Sequence, residues 1–259
     1  MSVQGSASVT QVFTLITPLM RSEFGLDIQI SNEGGSSQAI NAVGVKIANI
    51  AISARPLTAS DRAAFPARTF TELRIGSEAF ALVVASDVWN SGVHALTREQ
   101  MTSLYERRVA NWKALGGEDR AIQFYCPQPS KSAWEHLARW LYGDVRTAPI
   151  GKFEIVGEPQ EARDQVEFHA GAISLVPPKF VDGKRVFALG IQLPGGQIVR
   201  PIPEEITSGK YPMMRPITLV SGDPPTGAIK KVFDFLSSDR GQEWVRKASL
   251  VPLQSSSEP

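Results

Sequence analysis

Small hydroxyl and glycine residues placed just ahead of helix-forming stretches are the groups in this chain best suited to chemistry. Three such turns stand out: Gly5-Ser6-Ala7-Ser8, Gly34-Gly35-Ser36-Ser37 and Ser130-Lys131-Ser132. Glycine lets a backbone approach a ligand closely, and the first N–H groups of a helix have no intrahelical acceptor. Hydroxyls and free N–H groups converging on one point would bind an anion without a net positive field. A fourth turn, Ser53-Ala54-Arg55, adds a hydroxyl and a guanidinium, a group suited to bidentate oxyanion recognition. The ligand-binding candidates are therefore Ser6, Ser8, Ser36, Ser37, Ser53, Arg55, Ser130, Lys131 and Ser132.

Each of these residues also has a purely structural use. A serine before a helix serves as an N-cap, worth about 1 kcal/mol. Arg55 either faces a ligand or braces its own turn, and Lys131 is either an anion contact or a solvated helix-start lysine. No other chemistry competes strongly. His94, His136 and His169 are far apart, without the short spacing of a metal site. Cys126 stands alone, so it can form no intramolecular disulfide, and it reads as a small buried residue. Ser208-Gly209-Lys210 lacks the preceding glycine spacing of a phosphate loop. Trp112, Trp134, Trp140 and Trp244 fit core positions. With no paired base and nucleophile and no metal cluster, neither an enzyme nor a cofactor is expected.

The elements that must position these turns follow from periodicity. Val9, Val12, Phe13, Ile16, Leu19 and Met20 share one face of a helix of about four turns, with Ser8 or Thr10 as N-cap. Asp27–Ile30 alternates as a strand, a short helix opens at Gly34–Ser37, and Asn49–Ile52 is a buried strand. This βαβ alternation predicts a largely parallel, helix-covered sheet. Phe80–Ala85 is the strongest central apolar run, and a domain crossing is expected near it. A helix is expected over Arg98–Tyr105, another capped by Ser130 or Ser132, and a strand over Gly171–Val176 stopped by Pro177-Pro178. The last third reads as a turn, Ser208–Pro216, a strand, Ile217–Val220, and one amphipathic segment ending near Gln242. That segment is expected to pack beside the N-terminal helix. The resulting plan is a discontinuous first lobe, 1–81 with 178–259, and an inserted second lobe, 82–177.

Bulk properties agree with a two-domain globular chain. Of 259 residues, 42% are hydrophobic and 20% charged, and the net charge is +1. A near-neutral balance gives no support for nucleic acid or a membrane surface as partner. The start, Met1–Gly5, lacks the basic and apolar regions of a leader, and Gln254–Pro259 has a linker-like composition. That leaves either a cytosolic protein or one whose leader has been removed, and a monomer is expected.

In their order along the chain, these pieces resemble the phosphate-binding proteins of ABC importers. The resemblance runs from Gly5 to Leu253 and is carried by Gly5–Val9, Gly34–Ser37 and Ser53–Leu57 in the first lobe. Leu96–Gln100, Asn111-Trp112-Lys113 with Gly116-Gly117, and Gly171-Ala172-Ile173 carry it in the second, and Ser208–Val220 in the return. It implies an α/β, two-lobed fold of the type II periplasmic-binding-protein kind, with mixed sheets flanked by helices and a ligand cleft between the lobes. It also implies an oxyanion ligand, with phosphate first, and an ABC permease as partner. Of the two locations left open, it implies the second, an extracytoplasmic, periplasmic-type protein whose leader has been removed. The sequence departs from that pattern at the ligand turns. The usual first-turn threonine falls on Ala7, the aspartate or serine of the third turn falls on Ala54, and the second-lobe arginine falls on Cys126. The alternative is a domain of the same fold whose anion site has degraded, serving as a sensor or interaction module of a larger envelope protein.

Overall fold

The structure is a computed structural model that describes residues 1–5, 7–129, 131–149 and 153–253; the side chains of Ala7, Ser8 and Ser132 fall outside that description. The chain divides into two units, one built from Met1–Glu78 with Arg215–Pro259 and the other from Ala79–Met214.

The first unit opens with β1 (Ser2–Gly5), α1 (Ala7–Phe24), β2 (Gln29–Ser31), α2 (Ser36–Gly44), β3 (Ile50–Ser53), α3 (Ala59–Ala64) and β4 (Thr71–Ala79). The second continues with β5 (Ala81–Ala85), α4 (Ser86–Asn90), β6 (Ala95–Thr97), α5 (Arg98–Tyr105), β7 (Gln123–Pro127), α6 (Ser132–Tyr142), β8 (Glu154–Val156) and α7 (Pro159–Phe168). It goes on through β9 (Ala172–Val176), β10 (Val186–Ala188), β11 (Gly190–Gln192), β12 (Ile198–Val199) and α8 (Pro203–Thr207). The return to the first unit is β13 (Met214–Ser221), α9 (Gly227–Ser237), α10 (Asp239–Lys247) and β14 (Val251–Pro252).

Among the described residues the first unit holds one sheet, ordered β14-β4-β13-β3-β1-β2. β1 runs parallel to β2 and β3, while β13 is antiparallel to β3 and β14 to β4. The parallel expectation therefore applies to three strands, and the returning chain makes the sheet mixed. Both faces are covered, which is why β3 reads as a continuous apolar run. Ile50 and Ile52 pack with Val9, Val12, Phe13, Ile16 and Met20 of α1 on one face. Ala51 packs with Ala39, Ile40 and Val43 of α2 on the other.

α1 begins at Ala7, so Ser8 and Thr10 lie in its first turn and not at the cap. The C-terminal amphipathic stretch is two helices. Ser238 leaves the helical region (φ −78°, ψ 157°), and its Oγ accepts the Gly241 N–H at 3.1 Å, which caps α10. The expected packing on the N-terminal helix is present: Phe24 meets Phe235 edge-on at 6.1 Å, and Arg240 pairs with Glu23 at 2.6 Å.

In the second unit the described strands form a sheet ordered β10-β5-β9-β7-β8 and a small one ordered β12-β11-β6. β7 is parallel to β8 and β9, and α7 buries Ala162 and Val166 against Tyr125, Ala172 and Val176. The expected boundaries at 81/82 and 177/178 fall instead at 78/79 and 214/215. The physical reason is pairing: β10 joins β5, β11 joins β6, and the buried Tyr211 hydroxyl donates to the Phe80 carbonyl at 2.9 Å. Pro177-Pro178 thus ends a strand without ending the unit. Trp112 and Trp134 are buried, their ring N–H groups bonded to the Gly171 carbonyl and the Tyr105 hydroxyl. Trp140 and Trp244 are only half-buried.

Candidate functional site

Parallel pairing brings the C-terminal ends of β1, β2 and β3 to one edge of the sheet, with Gly5 opposite Ile52 and Gln4 opposite Ser31. In open α/β sheets this edge is where ligands are received. The segments leaving it carry Gly5, Gly34–Ser37 and Ser53–Arg55, three of the four turns singled out above. Glycine is required at the first, because a Cβ on Gly5 would stand 2.3 Å from the Ile52 Cγ2 and 2.7 Å from its carbonyl oxygen.

Four of the candidates meet here. The Ser36 Oγ accepts the Ala54 N–H at 2.9 Å, and the Ser37 Oγ accepts a hydrogen bond from the Arg55 Nη2 at 3.1 Å. An oxygen fixed as an acceptor keeps its own proton to donate. Ser53 behaves differently. It is fully buried, accepts the Arg55 N–H at 3.2 Å and donates to the Arg55 carbonyl at 2.6 Å, so its hydroxyl is spent on closing the turn.

Arg55 braces this corner. Nη1 donates to Asp61 Oδ2 at 2.6 Å and to the Pro56 carbonyl at 3.0 Å, while Nη2 donates to Asp61 Oδ1 at 3.0 Å. Asp61 also accepts the Thr58 N–H at 2.8 Å and hydroxyl at 2.7 Å, as the capping box of α3. The Arg55 hydrogen bond, followed by those from Thr58, holds the Asp61 carboxyl well below the usual carboxylate range. The corner therefore carries a matched charge pair.

The start of α2 is left open. Its N-cap is Gly35, which has no side chain to satisfy the first turn, and the first intrahelical bond runs from Ala39 N–H to the Gly35 carbonyl. The N–H groups of Ser36, Ser37 and Gln38 precede that bond, and they point along the positive end of the helix dipole. Gly34 enables the entry with φ +78°, where a Cβ would also collide with the Gln38 side chain.

Ser6 and the Ser8 side chain lie outside the described residues. Two neighbours went unrecognised in the sequence: Thr10, in the first turn of α1, donates to the Asn32 side chain at the end of β2. No spacing pattern announces a bond between turns 22 residues apart. The Asp61 role was legible, since Thr58-x-x-Asp61 has the capping-box form.

In the second unit β7 leads through 128–131 into α6. Ser130 and the Ser132 side chain lie outside the described residues; the backbone of Ser132 starts α6, with Lys131, not a serine, in the cap position. The Lys131 Nζ pairs with Glu158 at 2.8 Å, with the two side chains 44% and 72% exposed. Cys126 is buried, and burial pushes its thiol up to about 12. The strand position that the resemblance assigns to an arginine thus carries a neutral group. Among the described residues no group of three or more His, Cys, Asp or Glu is arranged to hold a metal ion, and no helix is long and apolar enough to cross a membrane.

A family model described as the PBP superfamily domain matches residues 2–240. The chain belongs to the PBP superfamily. Among members with curated names, the phosphate-binding protein PstS of Borreliella burgdorferi is 22% identical over 226 residues, covering 85% of this chain and 78% of that one. Among solved structures, an ABC-type phosphate transport receptor from Vibrio cholerae gives a TM-score of 0.75 at 20% identity, covering 97% of this chain and 99% of its own. A possible phosphate binding protein from Planctomyces limnophilus gives 0.79 at 17% identity, covering 99% and 93%. At these identities the likeness establishes the fold, and it agrees with the α/β class expected from the sequence.

Proposed function

We propose that this PBP superfamily member is a solute-binding receptor that captures a small oxyanion, with phosphate the first choice, for an ABC-type importer outside the cytoplasm. The observation that carries the reading is the orientation of Ser36 and Ser37. Both hydroxyl oxygens are held as acceptors by the 53–55 turn, so both protons are free for an anion over the uncapped start of α2. Ser53 and Arg55 act as the brace that fixes these donors. Ser6, Ser8, Ser130, Lys131 and Ser132 are carried as further contacts by the resemblance. The names of the relatives support phosphate as ligand. The protein works as a monomer, without catalysis.

The test is calorimetric titration of anion-stripped protein with phosphate and sulfate. Two hydrogen bonds to a charged group contribute about 1.5–3 kcal/mol each, so Ser36→Ala with Ser37→Ala weakens phosphate about a hundredfold or more. Because this half of the site offers donors and no free carboxylate, affinity for phosphate rises with pH as the dianion forms. Absence of heat with every oxyanion would sink the proposal. It would favour the second reading, an interaction module of the same fold, which the commitment of Arg55 to Asp61 and of Lys131 to Glu158 supports.

A further inference from the structure

A second recess lies in the first unit, bordering the Gly34–Ser37 turn at Gly34: a groove of ≈ 640 Å³ between α2 and the β1–β2 edge of the sheet. Its lining includes none of Ser36, Ser37, Ser53 or Arg55. Its floor is set by strand alternation. Val3 and Ile30 turn toward α1, so Ser2, Gln4, Gln29 and Ser31 face the α2 side, where α2 covers β3 but leaves the β1–β2 edge open. The groove volume is that of a small-ligand site, and the lining mixes polar side chains with Ala42, Ile47 and Ala48 and carries a single charge, Glu33.

We infer that this groove binds a short extended peptide carrying a basic residue. Three features point to that chemistry. β2 is the sheet edge, and its Gln29 N–H is bonded to the Met1 carbonyl, so parallel register turns the N–H and C=O of Ile30 outward. The Gln4 amide nitrogen is anchored on the Glu33 carbonyl at 3.1 Å, which leaves its oxygen as an acceptor. The Gln38 oxygen is anchored on the Gly35 N–H at 3.2 Å, which leaves its nitrogen as a donor. One donor and one acceptor held in place match the two polar groups of a peptide unit, and a strand adding at an open edge uses the same pairing.

The ends of the groove set polarity. The Glu33 carboxylate has no ion-pair partner among the described residues and marks one end for a lysine or arginine. Ile47, 74% exposed and tied to Ser2 through its carbonyl, marks the other for an aliphatic side chain. Of α2, Gln38, Asn41 and Ala42 line the groove, and β1 and β2 each line it with three residues, about 10 Å of strand, which accommodates about three extended residues between the two end groups. The Glu33 carboxylate in the lining disfavours the anions proposed for the serine turns, so the two sites differ in ligand charge.

The experiment uses the intact chain labelled with ¹⁵N and titrated with acetyl-Leu-Thr-Thr-Lys-amide and the reversed acetyl-Lys-Thr-Thr-Leu-amide. One of the two produces saturable shifts concentrated at Gln29–Ser31, Gln38 and Asn41, while the analogue with glutamate in place of lysine does not. Glu33→Gln weakens binding about fivefold, as loss of an exposed ion pair allows. Asn41→Trp, a change at an exposed α2 position, fills the groove and abolishes it. Unchanged melting confirms that both variants fold, and phosphate titration of both stays at the wild-type value. Failure of both peptides to give saturable shifts at millimolar concentration would overturn the inference, as would equal binding of the glutamate analogue.

Discussion

Asp61→Asn is the perturbation that separates bracing from ligand binding at the serine corner. Asp61 takes two hydrogen bonds from Arg55 and two from Thr58, and its side chain is 15% exposed against 31% for Arg55. Exposed pairs contribute about 0–1 kcal/mol, and removing one partner of a buried pair costs about 3–5 kcal/mol. This pair lies between those limits. Asparagine still accepts the Thr58 N–H, so the cap survives and the loss is about 2 kcal/mol, or about 4–8 °C in melting temperature for a chain of this size. Because the folded Asp61 carboxyl is depressed, its stabilisation is present above the ordinary carboxylate range and is lost as pH falls through the folded value. The wild-type advantage over Asp61→Asn therefore shrinks on acidification. Urea denaturation at neutral and acidic pH, with Arg55→Gln completing a double-mutant cycle, measures the coupling. Equal stability of wild type and Asp61→Asn at neutral pH would refute the reasoning, as would a gap that widens in acid.

Two further outcomes follow from local geometry. With its thiol pushed up to about 12 by burial, Cys126 stays unlabelled by a thiol-disulfide reagent in the native protein near neutral pH and reacts on unfolding; equal rates in the two states would contradict its placement. Gly5→Ala forces a methyl into Ile52 and costs about 1–3 kcal/mol by urea denaturation, and a neutral result would mean that β1 and β3 are not paired as described.

Much of the serine corner was legible because local signals define it. A Gly-Gly-Ser-Ser run before an apolar helical stretch marks a helix start, although the sequence left a serine N-cap open and the structure puts Gly35 in that place. Whether Arg55 faces a ligand was not legible from the Ser53-Ala54-Arg55 turn alone. Its partner is six residues on, and choosing between ligand and brace needed the capping box to be read together with the turn. The unit boundary was misplaced for a different reason. β10, β11 and β12 are two or three residues long, too short for alternation to register; β10 and β11 are held by pairing with β5 and β6 about a hundred residues earlier, and β12 by pairing with β11. Lys131 read more readily as a solvated helix-start lysine than as an anion contact, and its contact with Glu158, 27 residues away, was not visible in the sequence.

The discontinuity of the first unit governs the order in which the protein can be completed as it is made. Val251 pairs with Ser77, and Thr218 with Ser53, so the six-stranded sheet lacks β13 and β14 until residues 214–252 have left the ribosome. The second unit, Ala79–Met214, has every strand of its own sheets in hand much earlier, apart from nothing that the return segment supplies. During synthesis β3 waits with an open edge, and the serine corner gains its full support only when β13 arrives.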